Sequence, residues 1–184
     1  MQQIKGAVLK SRLAFAEEHA GKAGVQRVLE ALPAADQRIL RMLFTSNWYP
    51  FALGRALDDA IVRALGGGRT EFFERLGEAS AAKNLGSIHS GYLTKGDPHG
   101  FLSKSPSIYS LYYETGRREY REVGPKEGVL TTCDAETFSA ADCLTVVGWY
   151  RKALEMCGVS RPRVVEEECR ATGAQVCRYR VRWD

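Results

Sequence analysis

The sequence is poor in the residues on which catalytic sites are most often built, since only 3 of its 184 residues are histidine. No cysteine stands beside a base that is close in sequence, and neither a nucleophile elbow nor a paired-histidine helix occurs. The triplet Gly66-Gly67-Gly68 lacks the preceding strand and the following Lys-Ser/Thr of a phosphate-binding loop, so it predicts the end of a helix. We therefore expect a protein without enzymatic activity.

Long apolar runs and concentrated charge are also missing. No stretch approaches the roughly 20 apolar residues of a transmembrane helix, and residues 1–5 do not begin a signal peptide. The 26 basic and 22 acidic side chains leave a net charge of +4 that is spread along the chain. Nucleic-acid binding needs a concentrated basic face. We expect a cytoplasmic protein with no membrane span and no nucleic-acid partner.

Apolar residues recur at helical spacing through the first part of the chain, and the pattern changes to strand-like alternation after about residue 115. Helices are predicted at about 6–19, 22–32, from Pro33, 50–65, 71–85 and 107–114. Strands are predicted at 118–123 and 128–133, followed by a helix at 138–156 and a closing hairpin around Gly173. For residues 86–106 the pattern predicts loops and short helical turns.

This order predicts a single α+β domain over residues 1–184, with a helical part at about 1–115 and a sheet part at about 116–184. The helical layer would pack on a four-stranded, mostly antiparallel sheet of order strand–strand–helix–strand–strand.

The closing hairpin carries two of the five cysteines. Pairing about Gly173 predicts the partners Cys169 with Cys177, Glu167 with Tyr179, and Val165 with Val181. Two facing thiolates can hold one soft cation such as zinc, with Cys143 and a nearby carboxylate as further ligands. In this register Glu166 points away from the cysteines, so its use requires a β-bulge. Buried free thiols and a redox-labile Cys169–Cys177 pair remain as alternatives.

A set of aromatic residues lies at the predicted junctions of loops and helices. Such junctions above a small sheet can form an apolar pocket with a few polar groups. The alternative is that these side chains fill the core, which would leave the protein as an interaction or dimerisation adaptor. The candidate ligand-binding residues are Trp48, Tyr49, Phe72, Tyr92, His99, Phe101, Tyr109 and Trp149.

Several short motifs carry a family resemblance: Trp48-Tyr-Pro50, Tyr113-Glu-Thr-Gly116, Gly148-Trp-Tyr150 and the final C-x3-G-x3-C. They resemble a myxobacterial paralogous family of unknown function. The second half is more distantly similar to 4-vinyl reductase domains and aromatic-responsive sensor domains, which share the fold of Bet3-type TRAPP subunits. That resemblance implies a homodimer with a small apolar ligand and a structural zinc. The implied zinc ligands are Cys143, Glu166, Cys169 and Cys177.

A third resemblance concerns haem. The motif Tyr113-x-Thr115-x-Arg117 is similar to the Tyr-x-Ser-x-Arg propionate motif of haem-nitric oxide sensor domains. Threonine replaces serine and no histidine clearly occupies the proximal position, so haem is not expected. The sequence thus favours a non-catalytic, sensor-like module that binds a small apolar molecule. The alternatives are an adaptor that binds a protein partner and a haem-based gas sensor.

Overall fold

The computed structural model of the protein describes residues 2–87 and 89–184. It contains helices at most of the predicted positions, and one further short helix within the stretch predicted to be irregular. The elements are β1 (Gln3–Lys5), α1 (Gly6–Glu30), α2 (Ala34–Arg41), β2 (Trp48–Pro50), α3 (Phe51–Gly66), α4 (Glu71–Leu85), α5 (Pro98–Ser103), α6 (Ser105–Tyr112), β3 (Arg117–Gly124), β4 (Glu127–Cys133), α7 (Ala140–Met156), β5 (Arg163–Glu168) and β6 (Cys177–Arg182).

The long helix α1 is interrupted at Gly21, which has a φ of 64° and therefore leaves the helical conformation. This break corresponds to the end of the first predicted helix. Among the described residues, no helix combines the length and the apolar character that crossing a bilayer requires.

Strands β3 to β6 form an antiparallel sheet in the spatial order β3-β4-β6-β5, with α7 between β4 and β5 in the chain. The predicted α+β class, with a helical layer and an antiparallel sheet, is confirmed. A second, two-stranded pair joins β1 to β2 and was not predicted, because each strand has only three residues.

Helices α4 and α7 are in direct backbone contact. A Cβ atom added to Gly77 would overlap the carbonyl oxygen of Thr145, and one added to Gly148 would overlap the carbonyl oxygen of Glu74. The guanidinium of Arg151 on α7 donates to the Glu74 carboxylate at 2.7 Å and reinforces the crossing. No space for a ligand remains between these two helices at the crossing.

Helix α1 is tied to α3 and α4 by buried polar groups. The Ser11 hydroxyl donates to the Ser80 hydroxyl at 3.0 Å. Arg12 donates through Nη1 to the carbonyl oxygen of Leu76 at 2.9 Å and through Nε to Asp58 Oδ1 at 2.8 Å. Because a buried charge is costly unless it is paired, these contacts fix how the three helices pack.

Candidate functional site

The closing hairpin differs in register from the prediction. The observed partners are Val164 with Val181, Val165 with Arg180, Glu166 with Tyr179 and Glu168 with Arg178. The register shifts between Glu166 and Glu168, which is a β-bulge. Upstream of the bulge the predicted register is therefore wrong by one residue. Val164 and Val165 are adjacent, and either could satisfy an apolar inward position, so the apolar pattern did not distinguish the two registers.

The bulge turns Glu166 toward the cysteines. Its Oε1 atom is buried and has no hydrogen-bond partner among the described residues. Burial raises the pKa of the Cys169 thiol, and the neighbouring Glu166 carboxylate adds to that shift. A buried carboxylate oxygen without a donor is costly, so this position favours a cation.

Three sulfur atoms lie beside this carboxylate. Cys143 Sγ is 3.6 Å from Cys177 Sγ and 3.5 Å from Cys169 Sγ, and all three lie within 4.8 Å of one another. A tetrahedral zinc ion with Zn–S bonds of about 2.3 Å separates its sulfur ligands by about 3.8 Å. The three thiols are thus arranged as one face of such a site.

Local structure brings these thiols together. The Ser139 side chain caps α7 by accepting a hydrogen bond from the Asp142 N–H at 3.0 Å, which places Cys143 in the first turn. Gly173, with a φ of 101°, turns the chain between Cys169 and Cys177. The Arg170 N–H donates to Cys177 Sγ at 3.4 Å.

Hydrogen bonding makes one of these thiols the most acidic. The bond from Cys143, together with the Arg170 N–H, lowers the pKa of Cys177 although burial opposes the shift. The remaining cysteines lie outside the cluster: Cys133 is half-buried on β4, and Cys157 is buried at the end of α7. In both, burial raises the pKa of the thiol.

A small cavity of about 50 Å³ lies between the helices and the sheet, and nearly all of its lining residues are buried. Its surface is mainly apolar, and two arginines and four tyrosines are among the residues that line it. The lining residues are Val8, Arg12, Ser80, Ile108, Tyr109, Tyr112, Tyr113, Arg118, Thr145, Val146, Trp149 and Tyr150.

The eight aromatic candidates do not converge on this cavity. Tyr109 and Trp149 line it, whereas the other six contact the protein elsewhere. Phe101 is buried against Trp149, Phe72 packs against Phe15, and the His99 ring contacts Trp183. The three remaining candidates are Trp48, Tyr49 and Tyr92. The Trp48 ring lies under Lys5 Nζ, the Tyr49 hydroxyl accepts a hydrogen bond from the Phe44 N–H, and the Tyr92 ring packs against His89.

The three residues of the haem-like motif, Tyr113, Thr115 and Arg117, each contact a different partner. Tyr113 donates to Asp142 Oδ1 at 2.9 Å, and Thr115 Oγ1 accepts from a backbone N–H of the loop before α7. Arg117 is exposed and pairs with Asp134 on the outer side of the sheet. Burial raises the pKa of Asp142 to about 7, although the Tyr113 hydroxyl opposes the shift. The three motif residues therefore form no common anion site.

The fold is that of H-NOX proteins. The unliganded Fe(II) H-NOX protein from K. algicida matches with a TM-score of 0.73 at 13% identity, over 98% of this chain and 96% of that one. The H-NOX protein from S. oneidensis in the Fe(II)NO state matches with a TM-score of 0.72 at 13% identity, over 98% and 99%. A single-substitution mutant of T. tengcongensis H-NOX gives 0.71 at 12% identity, over 98% and 97%.

The chain itself belongs to the family described as "Protein of unknown function (DUF2378)", which matches residues 48–184. No curated protein matches it. The predicted relationship to 4-vinyl reductase and Bet3-type domains is wrong, because the matched solved structures are H-NOX proteins. The resemblance to haem-nitric oxide sensor domains, by contrast, agrees with these matched structures at the level of the fold.

Sequence reasoning missed the buried Arg118, although a signal for it exists. Arg117 and Arg118 are consecutive on β3, and consecutive strand residues point to opposite faces. One of the two guanidiniums must therefore face the helices, and the structure shows that it is Arg118, which is 5% exposed.

Proposed function

We propose that this chain is a non-catalytic, sensor-like binding module with the H-NOX fold, which works without haem and uses a thiolate-bound zinc ion to hold its closing hairpin. The observation that carries this proposal is the buried Glu166 oxygen, without a hydrogen-bond donor among the described residues, beside three clustered thiols. The sensor-like function predicted from the sequence agrees with the H-NOX neighbours at the level of the fold.

Haem has to be considered because one of the matched structures concerns heme redox potential and porphyrin distortion. The residues of this chain do not fit it. Sites for drug-sized ligands occupy roughly 300–1,000 Å³, whereas the cavity here has about 50 Å³. No histidine is among its described lining residues. His89 lies in a neighbouring open cleft of about 460 Å³ beside Lys5 and Lys10, and this cleft shares Tyr112 with the cavity. Helices α1 and α7 both pack directly on α4, which leaves no room for a haem between them at these contacts.

The ligand set fits zinc well. Thiolates select soft cations, and three thiolates with one carboxylate complete a tetrahedron without an open position. When bound, the ion would supply a cross-link between α7, through Cys143, and the hairpin, through Glu166, Cys169 and Cys177. Such a closed site stabilises a fold and offers no position for a substrate.

Metal analysis and native mass spectrometry of the purified chain test this proposal. We expect one zinc per chain and no haem absorbance band, even when haem is supplied during expression. Stoichiometric haem would contradict the haem-free function, and a chain without metal would contradict the zinc site. The same measurement reports the mass of the homodimer, which stays a prediction.

The role of Glu166 has its own test. Glu166→Gln removes the charge of the fourth ligand, so we expect zinc affinity to fall at least as much as on loss of an outer-shell partner, about 10–100-fold. Competition with a chromophoric chelator measures the affinity. Glu167→Gln is the matched control, because Glu167 is exposed and pairs with Arg180. Equal zinc affinity in the two variants would remove Glu166 from the site.

A further inference from the structure

Arg118 is a buried cation whose contacts are almost all uncharged. Its Nε donates to Thr132 Oγ1 at 3.1 Å. Its guanidinium carbon lies 5.2 Å, 5.3 Å and 5.5 Å from the ring centres of Tyr109, Tyr150 and Tyr179. In the part of the chain that the structure describes, no carboxylate forms an ion pair with it.

The acidic side chains near Arg118 form hydrogen bonds with other residues. Asp58 is paired with Arg12 at 2.8 Å, and Asp142 accepts from the Tyr113 hydroxyl at 2.9 Å. A guanidinium stays protonated in proteins, so Arg118 cannot avoid its burial by losing the charge. Ring faces offset only part of the cost of desolvating it, and a directly bound anion would offset more.

The cavity beside Arg118 has the volume for such an anion. One water needs about 10–15 Å³ of this space, so a cavity of about 50 Å³ accommodates roughly three to five non-hydrogen atoms. The wall also holds a polar group without a partner. The hydroxyl of Tyr112, a lining residue, is buried and has no hydrogen-bond partner among the described residues.

We infer that this cavity binds a small carboxylate or oxyanion of three or four non-hydrogen atoms, held by the guanidinium of Arg118. This inference deepens the proposed sensor function, on which it rests, by naming the ligand class. The planar fork of arginine matches the two oxygens of a carboxylate, which explains why an arginine suits this wall. The limited volume excludes larger carboxylates and aromatic acids.

A size series on the unmodified protein tests the inference. Thermal unfolding is followed with increasing formate, acetate or pivalate, while chloride keeps the ionic strength constant. A ligand that binds only the folded state raises the melting temperature according to its concentration relative to its dissociation constant. We expect saturable increases with formate and acetate, and none with pivalate. Responses that do not saturate, or that are equal for all three anions, would overturn the inference.

Substitutions of the two consecutive arginines on β3 show whether the anion binds at Arg118. Arg118→Met should weaken formate binding about 10-fold or more, the usual effect of losing a hydrogen bond to a charged group. Arg117→Met makes the same charge change on the exposed side of β3 and should leave binding intact. An equal loss in both variants would contradict the assignment. If Arg118→Met does not fold, the size series decides alone.

Zinc and haem contents are measured in the same samples. A zinc-loaded, haem-free protein without a formate response would reject the anion site alone. A formate response in a protein without zinc would reject only the metal part of the proposed function.

Discussion

Cys177→Ser is expected to release the metal and to lower the melting temperature strongly. Cys177 belongs to the cluster, with its Sγ 3.6 Å from Cys143 Sγ, and its pKa is already lowered by hydrogen bonds, so it is the thiol most ready to bind as a thiolate. A metal present at about 1,000 times its dissociation constant stabilises the fold by about 4 kcal/mol. For a chain of 184 residues, losing that amount lowers the melting temperature by about 8–16 °C.

Cys133→Ser is the matched control for this substitution. Cys133 is half-buried on β4 and is not part of the cluster, so its loss should leave the zinc content at one per chain. Metal content by mass spectrometry and thermal unfolding with and without a chelator give the two readouts. Full zinc retention in Cys177→Ser, with an unchanged melting temperature, would show that the thiols are only buried side chains.

The zinc ligands illustrate what a sequence can and cannot specify. The order Cys143, Glu166, Cys169, Cys177 came from a resemblance to a family that is not this chain's. The structure groups the three thiols within 4.8 Å of one another and places the buried Glu166 carboxylate beside Cys169, but not within that group. The bulge that turns Glu166 inward was stated only as a condition for its use as a ligand. Two adjacent valines made two registers equally apolar, and only the three-dimensional pairing with β6 separates them.

The prediction of an aromatic pocket was less accurate than that of the cysteine cluster. A pattern that indicates burial does not show which buried side chains lie next to one another. Helical periodicity correctly indicated that Phe73 and Leu76 are buried, and the candidates Phe72, Phe101 and Tyr109 are buried as well. It carried no information on which of them share a cavity, since that depends on how α4, α6 and α7 cross. The same limit applies to the prediction of the fold. Composition and pattern predicted the α+β class. The sequence offered only a short motif similar to haem-nitric oxide sensor domains, and at 13% identity the likeness to H-NOX proteins over the whole chain became clear only in three dimensions.

The second large effect is expected at the crossing of α4 and α7. Gly77→Ala and Gly148→Ala each place a methyl group on a backbone carbonyl of the opposite helix, and a backbone cannot move aside as a flexible side chain can. Overpacking costs about 1–3 kcal/mol, occasionally more. We expect each substitution to reduce the free energy of unfolding by about 3 kcal/mol, near the upper end of that range, as measured by urea denaturation.

Gly54→Ala on α3 is the control, because it is also a buried helical glycine but has room. A Cβ there would lie 3.5 Å from a methyl carbon of Leu9 and 3.6 Å from one of Ile4, which are ordinary contact distances. Since alanine favours a helix over glycine by about 0.8–1.0 kcal/mol, this variant should be neutral or more stable. If Gly77→Ala and Gly148→Ala behaved like Gly54→Ala, the two helices would be able to separate. Close packing of α4 and α7 would then no longer exclude haem from the space between them.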